Sequence, residues 1–232
     1  MSRQSRPPVL LTRPAAAAAR DAQGLDGPVV LSPLAEPEVL CPELPPADGL
    51  IFTSARAASA LGGRCPALRA WCVGARTAEA ARAAGFDAVS ADGDAEALIA
   101  LLLKARPDGV LLHARGEETR GDVAARLTAA GLRVAEAVVY RMAPKPLSEE
   151  AKALLFNAAE VIVPLHSPAS ARRFAMAAAG ARARLRLACL SPAVAAAAPP
   201  AAETRIAARP DAPSMHALVT AMQRLETSTP QG

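Results

Sequence analysis

Aromatic side chains are scarce in this chain of 232 residues: one tryptophan, one tyrosine and four phenylalanines, 3% in all. Without stacking platforms, and with a formal net charge of only +4, the composition argues against nucleic-acid binding. Lysine stands only at 104, 145 and 152, so nearly all the positive charge is arginine, and the one basic run is 182–186. The four cysteines, at 41, 65, 72 and 189, show no C-x-x-C spacing; they read as small core residues in a reducing compartment, which excludes a zinc ribbon and a disulfide frame. No apolar stretch reaches transmembrane length uninterrupted, and residues 1–8 are polar and proline-bearing, unlike a signal peptide. A soluble cytoplasmic protein is expected, with no membrane partner. Neither G-x-G-x-x-G nor a P-loop is present, so nucleotide-handling classes lose their usual signature.

Hydrophobic residues are plentiful at 52%, but alanine supplies much of that, so the layers must pack closely on small side chains. The organising stretch is Leu50 to Leu61: the apolar run Leu50-Ile51-Phe52, then Thr53-Ser54, then an alanine-rich segment of helical spacing. A buried strand here delivers two hydroxyls to a helix start, where free N–H groups and the helix dipole favour anions, and Arg56 adds a charge in the first turn.

A second copy follows about a hundred residues later. Val161-Ile162-Val163-Pro164-Leu165 leads into His166-Ser167-Pro168, so Ser54 matches Ser167. Further matches are Cys72 with Cys189, Gly74 with Ser191, the helix start at Asp94 with that at Ser214, and Val9 to Arg13 with Val110 to Arg115. The pattern is a duplicated α/β unit of parallel-sheet βα elements. Two proline-bearing extended connectors, 32–37 and 144–146, mark chain crossings. One lobe is therefore expected to comprise 1–36 plus 143–232, with a second lobe, 37–142, inserted in it and the two crossings paired as a two-stranded β ladder or hinge. Residues after Glu226 read as a disordered tail.

The ordered set of motifs resembles the uroporphyrinogen-III synthase family. It comprises Thr-Arg-Pro after the first strand, Ile-Phe-Thr-Ser-x-Arg-Ala from Ile51, Val-Gly-x-x-Thr-Ala from Val73, His-Ala-Arg-Gly-Glu-Glu from His113, and Val-Tyr at 139–140 before the second crossing. The resemblance implies cyclisation of the linear tetrapyrrole hydroxymethylbilane to uroporphyrinogen III, with loss of water and inversion of the last ring through a spiro intermediate. It implies no metal or organic cofactor. Tyr140 matches the family's tyrosine and is expected to protonate or orient the departing hydroxyl. The substrate carries eight carboxylates, and the residues expected to bind it are Arg13, Thr53, Ser54, Arg56, Arg76, Thr77, Arg115, Gly116, Ser167 and Ser191. Helix capping is the competing use of the hydroxyl residues, and surface pairing that of the arginines. Glu117 and Glu118 read as complements to a helix start. His113, His166 and His216 lie far apart without metal-like spacing and read as structural, His166 being the one beside a candidate residue. A monomer is expected. The alternative is a two-lobed protein that binds a small anion or sugar without chemistry.

Overall fold

The computed structural model describes residues 6–64, 68–118 and 121–224. The chain divides into two compact units, Met1–Glu36 with Pro144–Gly232, and Pro37–Ala143; the second crossing falls one residue later than the sequence suggested.

In chain order the first unit begins with β1 (Val9–Leu11), α1 (Ala15–Ala22) and β2 (Val29–Leu31). The chain crosses in β3 (Ala35–Val39) and builds the second unit from β4 (Gly49–Phe52), α2 (Ala55–Leu61), β5 (Arg69–Cys72), α3 (Ala75–Ala83), β6 (Asp87–Ser90), α4 (Ala95–Ala105), β7 (Val110–Gly116), α5 (Val123–Ala129) and β8 (Arg133–Pro144). It completes the first unit with α6 (Glu149–Asn157), β9 (Glu160–Leu165), α7 (Pro168–Ala177), β10 (Arg184–Cys189), α8 (Pro192–Ala196), β11 (Glu203–Ile206) and α9 (Ala212–Arg224).

The first unit holds a five-stranded sheet in the order β11-β10-β9-β1-β2, and the second a six-stranded sheet in the order β3-β8-β7-β4-β5-β6. Every pairing from β4 to β8 within the second sheet, and all of the first, is parallel. Apart from the added edge strand β3, the two sheets share one topology, with β4, β5, β6, β7 and β8 answering to β9, β10, β11, β1 and β2. The registers agree residue by residue: Phe52 stands opposite Cys72 as Leu165 does opposite Cys189. Three residues back, Gly49 stands opposite Leu111 as Ile162 does opposite Val9. Counting on, Arg115 answers to Arg13, His113 to Leu11, and Thr53 to His166.

Alternation along the central strands divides each unit into two packed layers. Leu50 and Phe52 meet α2 and α3 through Ala57, Ala58, Leu61, Ala78 and Ala81, whereas Ile51 meets α4 and α5 through Leu98, Leu102, Val123 and Leu127. In the first unit Val161, Val163 and Leu165 meet α6, α7 and α8, and Ile162 meets α9 through Met215, Val219 and Met222. Alanine on α2 and α3 lets these helices sit close to the sheet, which is the use made of an alanine-rich composition.

The first crossing, expected as an extended connector at 32–37 paired with the second crossing, forms the strand Ala35–Val39 beside β8, so the two crossings do lie side by side; Pro37 lacks an N–H, and an edge position tolerates that lack. Leu40 N–H donates to Val139 O at 2.8 Å, and Arg141 pairs with Glu38 at 2.8 Å, tying β3 to β8. Several other expectations are corrected. The β7 strand extends through Arg115 and Gly116, which therefore belong to the sheet. The next helix starts at Val123, so Glu117 and Glu118 complement no helix start. The counterpart of Asp94, whose carboxylate caps α4, is Asp211, which accepts Ser214 N–H at 2.8 Å; Ser214 itself lies inside the helix. Cys41 is exposed, while Cys72 and Cys189 are buried, their thiols pushed up to about 11 by burial. Cys65 and the tail after Glu226 lie outside the described residues. The basic run is no patch: Arg186 is 5% exposed and held by Glu203 at 2.5 Å, Glu160 at 3.3 Å and the Met222 carbonyl at 3.0 Å. No helix among the described residues is long and apolar enough to cross a membrane.

Candidate functional site

In each parallel sheet the chain winds outward in both directions from one gap. In the second unit β4, β5 and β6 proceed one way and β7 and β8 the other, so the order reverses between β4 and β7; in the first unit it reverses between β9 and β1. Ligands of open parallel sheets settle at the carboxyl ends of the strands beside such a reversal, because the loops there part in opposite directions. Most of the sequence candidates gather near these two places, while Arg76, Thr77 and Ser191 stand at the ends of the next strands, β5 and β10.

In the second unit they fall on both faces of the sheet. Toward α2 and α3 stand Ser54, Gly116 and Tyr140. Tyr140 is 9% exposed, and its hydroxyl donates to Ser54 Oγ at 3.3 Å. A bulge between Arg115 and Gly116 brings Gly116 opposite Tyr140, and Glu117 N–H donates to the Tyr140 carbonyl at 2.9 Å. The ring lies directly against Gly116, where a Cβ would fall 2.6 Å from Cζ and 2.8 Å from the hydroxyl oxygen. Glycine is thus required for close approach; any side chain here would displace the ring. Ser54 caps α2 by accepting Arg56 N–H at 3.2 Å. With two donors already on its oxygen, the Ser54 O–H proton remains for a ligand, so Ser54 is a donor.

Toward α4 and α5 stand Thr53, His113, Arg115 and Glu136. His113 is 4% exposed; its Nε2 lies 3.2 Å from Thr53 Oγ1, and its Nδ1 lies 3.4 Å from Glu136 Oε1 without making a hydrogen bond. Arg115 Nε donates to the same Glu136 oxygen at 2.8 Å, and its Nη1 to the Gly116 carbonyl at 3.1 Å. Burial pushes the His113 imidazole below its ordinary range and Arg115 adds to this, against the pull of Glu136. Arg115 therefore stands as a tethered cation. At the neighbouring strand end, Gly74 occupies the N-cap position of α3, Arg76 is exposed in its first turn, and Thr77 is 6% exposed. Arg56 is likewise exposed; neither it nor Arg76 forms an ion pair among the described residues.

The first unit repeats the theme with other residues. Arg13 Nη1 donates to both oxygens of Asp21, at 3.1 and 2.9 Å, and His166 Nε2 lies 3.7 Å from the same carboxylate. Burial, with Arg13 adding to it and Asp21 opposing, lowers the His166 pKa to about 4. Ser167 and Ser170 form a reciprocal capping box at the start of α7, with N–H to Oγ distances of 3.0 and 3.1 Å. Ser191 takes the N-cap position of α8, but its side chain makes no capping bond. The helix it opens spans only five residues.

The structure thus brings Thr53, Ser54, Arg115, Gly116 and Tyr140 together in one unit, and Arg13 and Ser167 beside His166 in the other. Sequence reasoning missed His113 as the partner of Thr53, Glu136 as the partner of Arg115, and Asp21 as the partner of Arg13. His113 stood inside a noted motif; nothing in the spacing of Asp21 or Glu136 marked either. Among the described residues no group of three or more His, Cys, Asp or Glu is placed to hold a metal ion.

A sequence profile of the family described as uroporphyrinogen-III synthase HemD matches residues 18–220. Among solved structures, uroporphyrinogen-III synthetase from Helicobacter pylori is 16% identical with a TM-score of 0.68, the match covering 94% of this chain and 99% of the other. A mutant uroporphyrinogen III synthase from the extremely thermophilic bacterium Thermus thermophilus is 17% identical with a TM-score of 0.51, covering 94% and 99%. At such identities these two likenesses are ones of fold. No curated protein sequence matches the chain.

Proposed function

The chain belongs to the uroporphyrinogen-III synthase family, and from that premise we propose that it acts as a cyclising hydro-lyase. It converts hydroxymethylbilane to uroporphyrinogen III, with loss of water and inversion of the last ring. The observation that carries the reading is the profile match over 18–220. It disfavours the alternative of a two-lobed anion-binding protein without chemistry.

The geometry supports a division of labour. Loss of the hydroxymethyl oxygen as water leaves a cationic azafulvene, which the substituted carbon of the last ring attacks to give the spiro intermediate. A positioned O–H at the departing oxygen lowers that first barrier, and general acids typically contribute about 10²- to 10⁴-fold. Tyr140 is the proposed donor: its ring is clamped on Gly116 and its proton points at Ser54. A departing hydroxyl placed beside Ser54 takes over that proton contact, while Ser54 donates its own. Arg13, Thr53, Ser54, Arg56, Arg76, Thr77, Arg115, Gly116, Ser167 and Ser191 are the proposed substrate-binding positions. Charge-assisted hydrogen bonds of roughly 1.5 to 3 kcal/mol each mean that a few well-made contacts suffice to hold an octacarboxylate. Arg56 and Arg76 are the arginines free to move toward a carboxylate, whereas Arg13 and Arg115 offer positive charge from fixed positions.

The reading includes a monomer acting in the cytoplasm; the exposed large apolar residues, such as Val39, Phe156 and Met176, sit singly on different elements. The decisive experiment supplies fresh hydroxymethylbilane, oxidises the products and separates the porphyrin isomers. Type III in excess over the spontaneous type I product is expected. Type I alone, at the rate seen without protein, overturns the assignment.

A further inference from the structure

We infer that His113 and Glu136 fix the Thr53 hydroxyl as a hydrogen-bond acceptor, so that Thr53 receives a pyrrole N–H of the bilane and not one of its carboxylates. This rests on the bilane reading above and deepens it.

The imidazole of His113 is buried and shifted toward its neutral form, so the ring carries a single N–H. Its two nitrogens face unlike neighbours. Nδ1 lies 3.4 Å from the carboxylate oxygen that Arg115 also holds, and Nε2 lies 3.2 Å from Thr53 Oγ1. Placing the proton on Nε2 would turn the buried Nδ1 lone pair toward a carboxylate oxygen, which is repulsive. Placing it on Nδ1 makes the same approach attractive, and the neighbour of one ring nitrogen sets the state of the other. Nε2 then presents a lone pair, and the Thr53 proton is drawn onto it. What Thr53 offers outward is oxygen lone pairs.

Its neighbour has the opposite polarity. Ser54 Oγ already accepts from Arg56 N–H and Tyr140 O–H, so Ser54 offers a proton. Adjacent hydroxyls at one strand end are therefore a fixed acceptor and a fixed donor. A bilane presents both complements, N–H groups on its rings and oxygens on its substituents.

Packing does not demand this arrangement. The first unit has the same sheet order and register, and there the positions of His113 and Glu136 are taken by Leu11 and Leu31. His113 and Glu136 are accordingly positioning residues, acting through Thr53.

The test has two readouts. Long-range ¹H–¹⁵N spectra of the labelled wild-type protein, with His113 assigned by its loss in His113→Leu, report which ring nitrogen carries the proton. A neutral ring protonated at Nδ1 from pH 7 to 8 is expected; a ring protonated at Nε2, or at both nitrogens, in that range overturns the proposal whether or not any variant folds. A double-mutant cycle then measures kcat/KM for type III formation. Thr53→Val and His113→Leu each lose on the order of 10-fold, one hydrogen bond's worth, and the double variant loses no more than either. Losses that multiply to about 100-fold, or no loss in folded His113→Leu, overturn it. Failure of the bilane reading is separate: it shows as wild-type protein giving only type I product, with the ring tautomer unaffected.

Discussion

The two units are built on one plan and equipped differently. Both wind a parallel sheet outward from a central gap, and both place an arginine at the same register position, Arg13 two residues past the end of β1 and Arg115 within β7. Both arginines are held by a carboxylate that also approaches a histidine, yet no member of the group other than the arginine is equivalent. The second unit takes its acid from a strand, Glu136, and its histidine from β7; the first takes its acid from α1, Asp21, and its histidine from the turn after β9. The same grouping of an arginine, a carboxylate and a buried imidazole is thus reached from different positions in the two units. The difference lies on the other face. Only the second unit stacks a tyrosine on a glycine there; the residue answering to Gly116 in the first unit is Pro14.

The asymmetry is broken most severely at that stack. Gly116→Ala sets a Cβ 2.6 Å from the Tyr140 ring, so the ring or the bulge must shift. A stability loss of about 1 to 3 kcal/mol is expected from overpacking. With the phenol displaced, kcat is expected to fall on the order of 10²-fold, in line with Tyr140→Phe. Pro14→Ala, at the equivalent place, should alter kcat little. Steady-state rates and thermal melts of the three variants check this; Gly116→Ala with wild-type kcat would show that the position of the phenol is immaterial.

Why some of this could be read in the sequence, and some not, follows from how each feature is encoded. The strand–hydroxyl–helix copies at 50–61 and 161–171 keep their residues in fixed local order, so Ser54 and Ser167, Cys72 and Cys189, and the arginine pair were matched correctly. Tyr140, the only tyrosine, was placed by its motif. The partners of Thr53 and Arg13 depend instead on register and on helix rotation. Glu136 reaches His113 because β7 and β8 pair His113 with Glu136, and Asp21 reaches Arg13 because α1 folds back beside β1. A proline-bearing edge strand such as β3 carries no apolar alternation, so the bounds of the first crossing strand, Ala35–Val39, differ from the 32–37 read in the sequence, while its pairing beside the second crossing was legible.

The histidines sharpen the comparison through pH. The pKa of His166 falls to about 4 in the folded chain from an ordinary 6.5, with Arg13 and Asp21 the charged groups facing it. Between those values the unfolded chain binds a proton that the folded chain does not, so stability falls as pH drops from 6.5 to 4 and is unimpaired above 6.5. The loss amounts to at most roughly 3 kcal/mol. His166→Thr, which installs the residue of the second unit, should flatten the melting temperature across that window and leave it nearly unchanged at pH 7.5. An equally steep profile in the variant would assign the acid sensitivity to other groups, His113 among them.

The smallest effects distinguish capping from ligand contact at the helix starts. Ser167→Ala removes a reciprocal box and should cost about 1 kcal/mol. Ser54→Ala removes a single capping bond, and should cost no more in stability while freeing the Tyr140 hydroxyl and lowering turnover. Ser191→Ala should move stability by less than about 0.5 kcal/mol, since the hydroxyl makes no capping bond and Pro192 leaves one N–H fewer to satisfy. Ser191 therefore has no evident structural use for its side chain, and its variant isolates the ligand contribution. A raised KM at an unchanged melting temperature makes Ser191 a substrate contact of the first unit; unchanged KM removes it from the binding positions and leaves Ser167 as the hydroxyl of that unit available to the bilane.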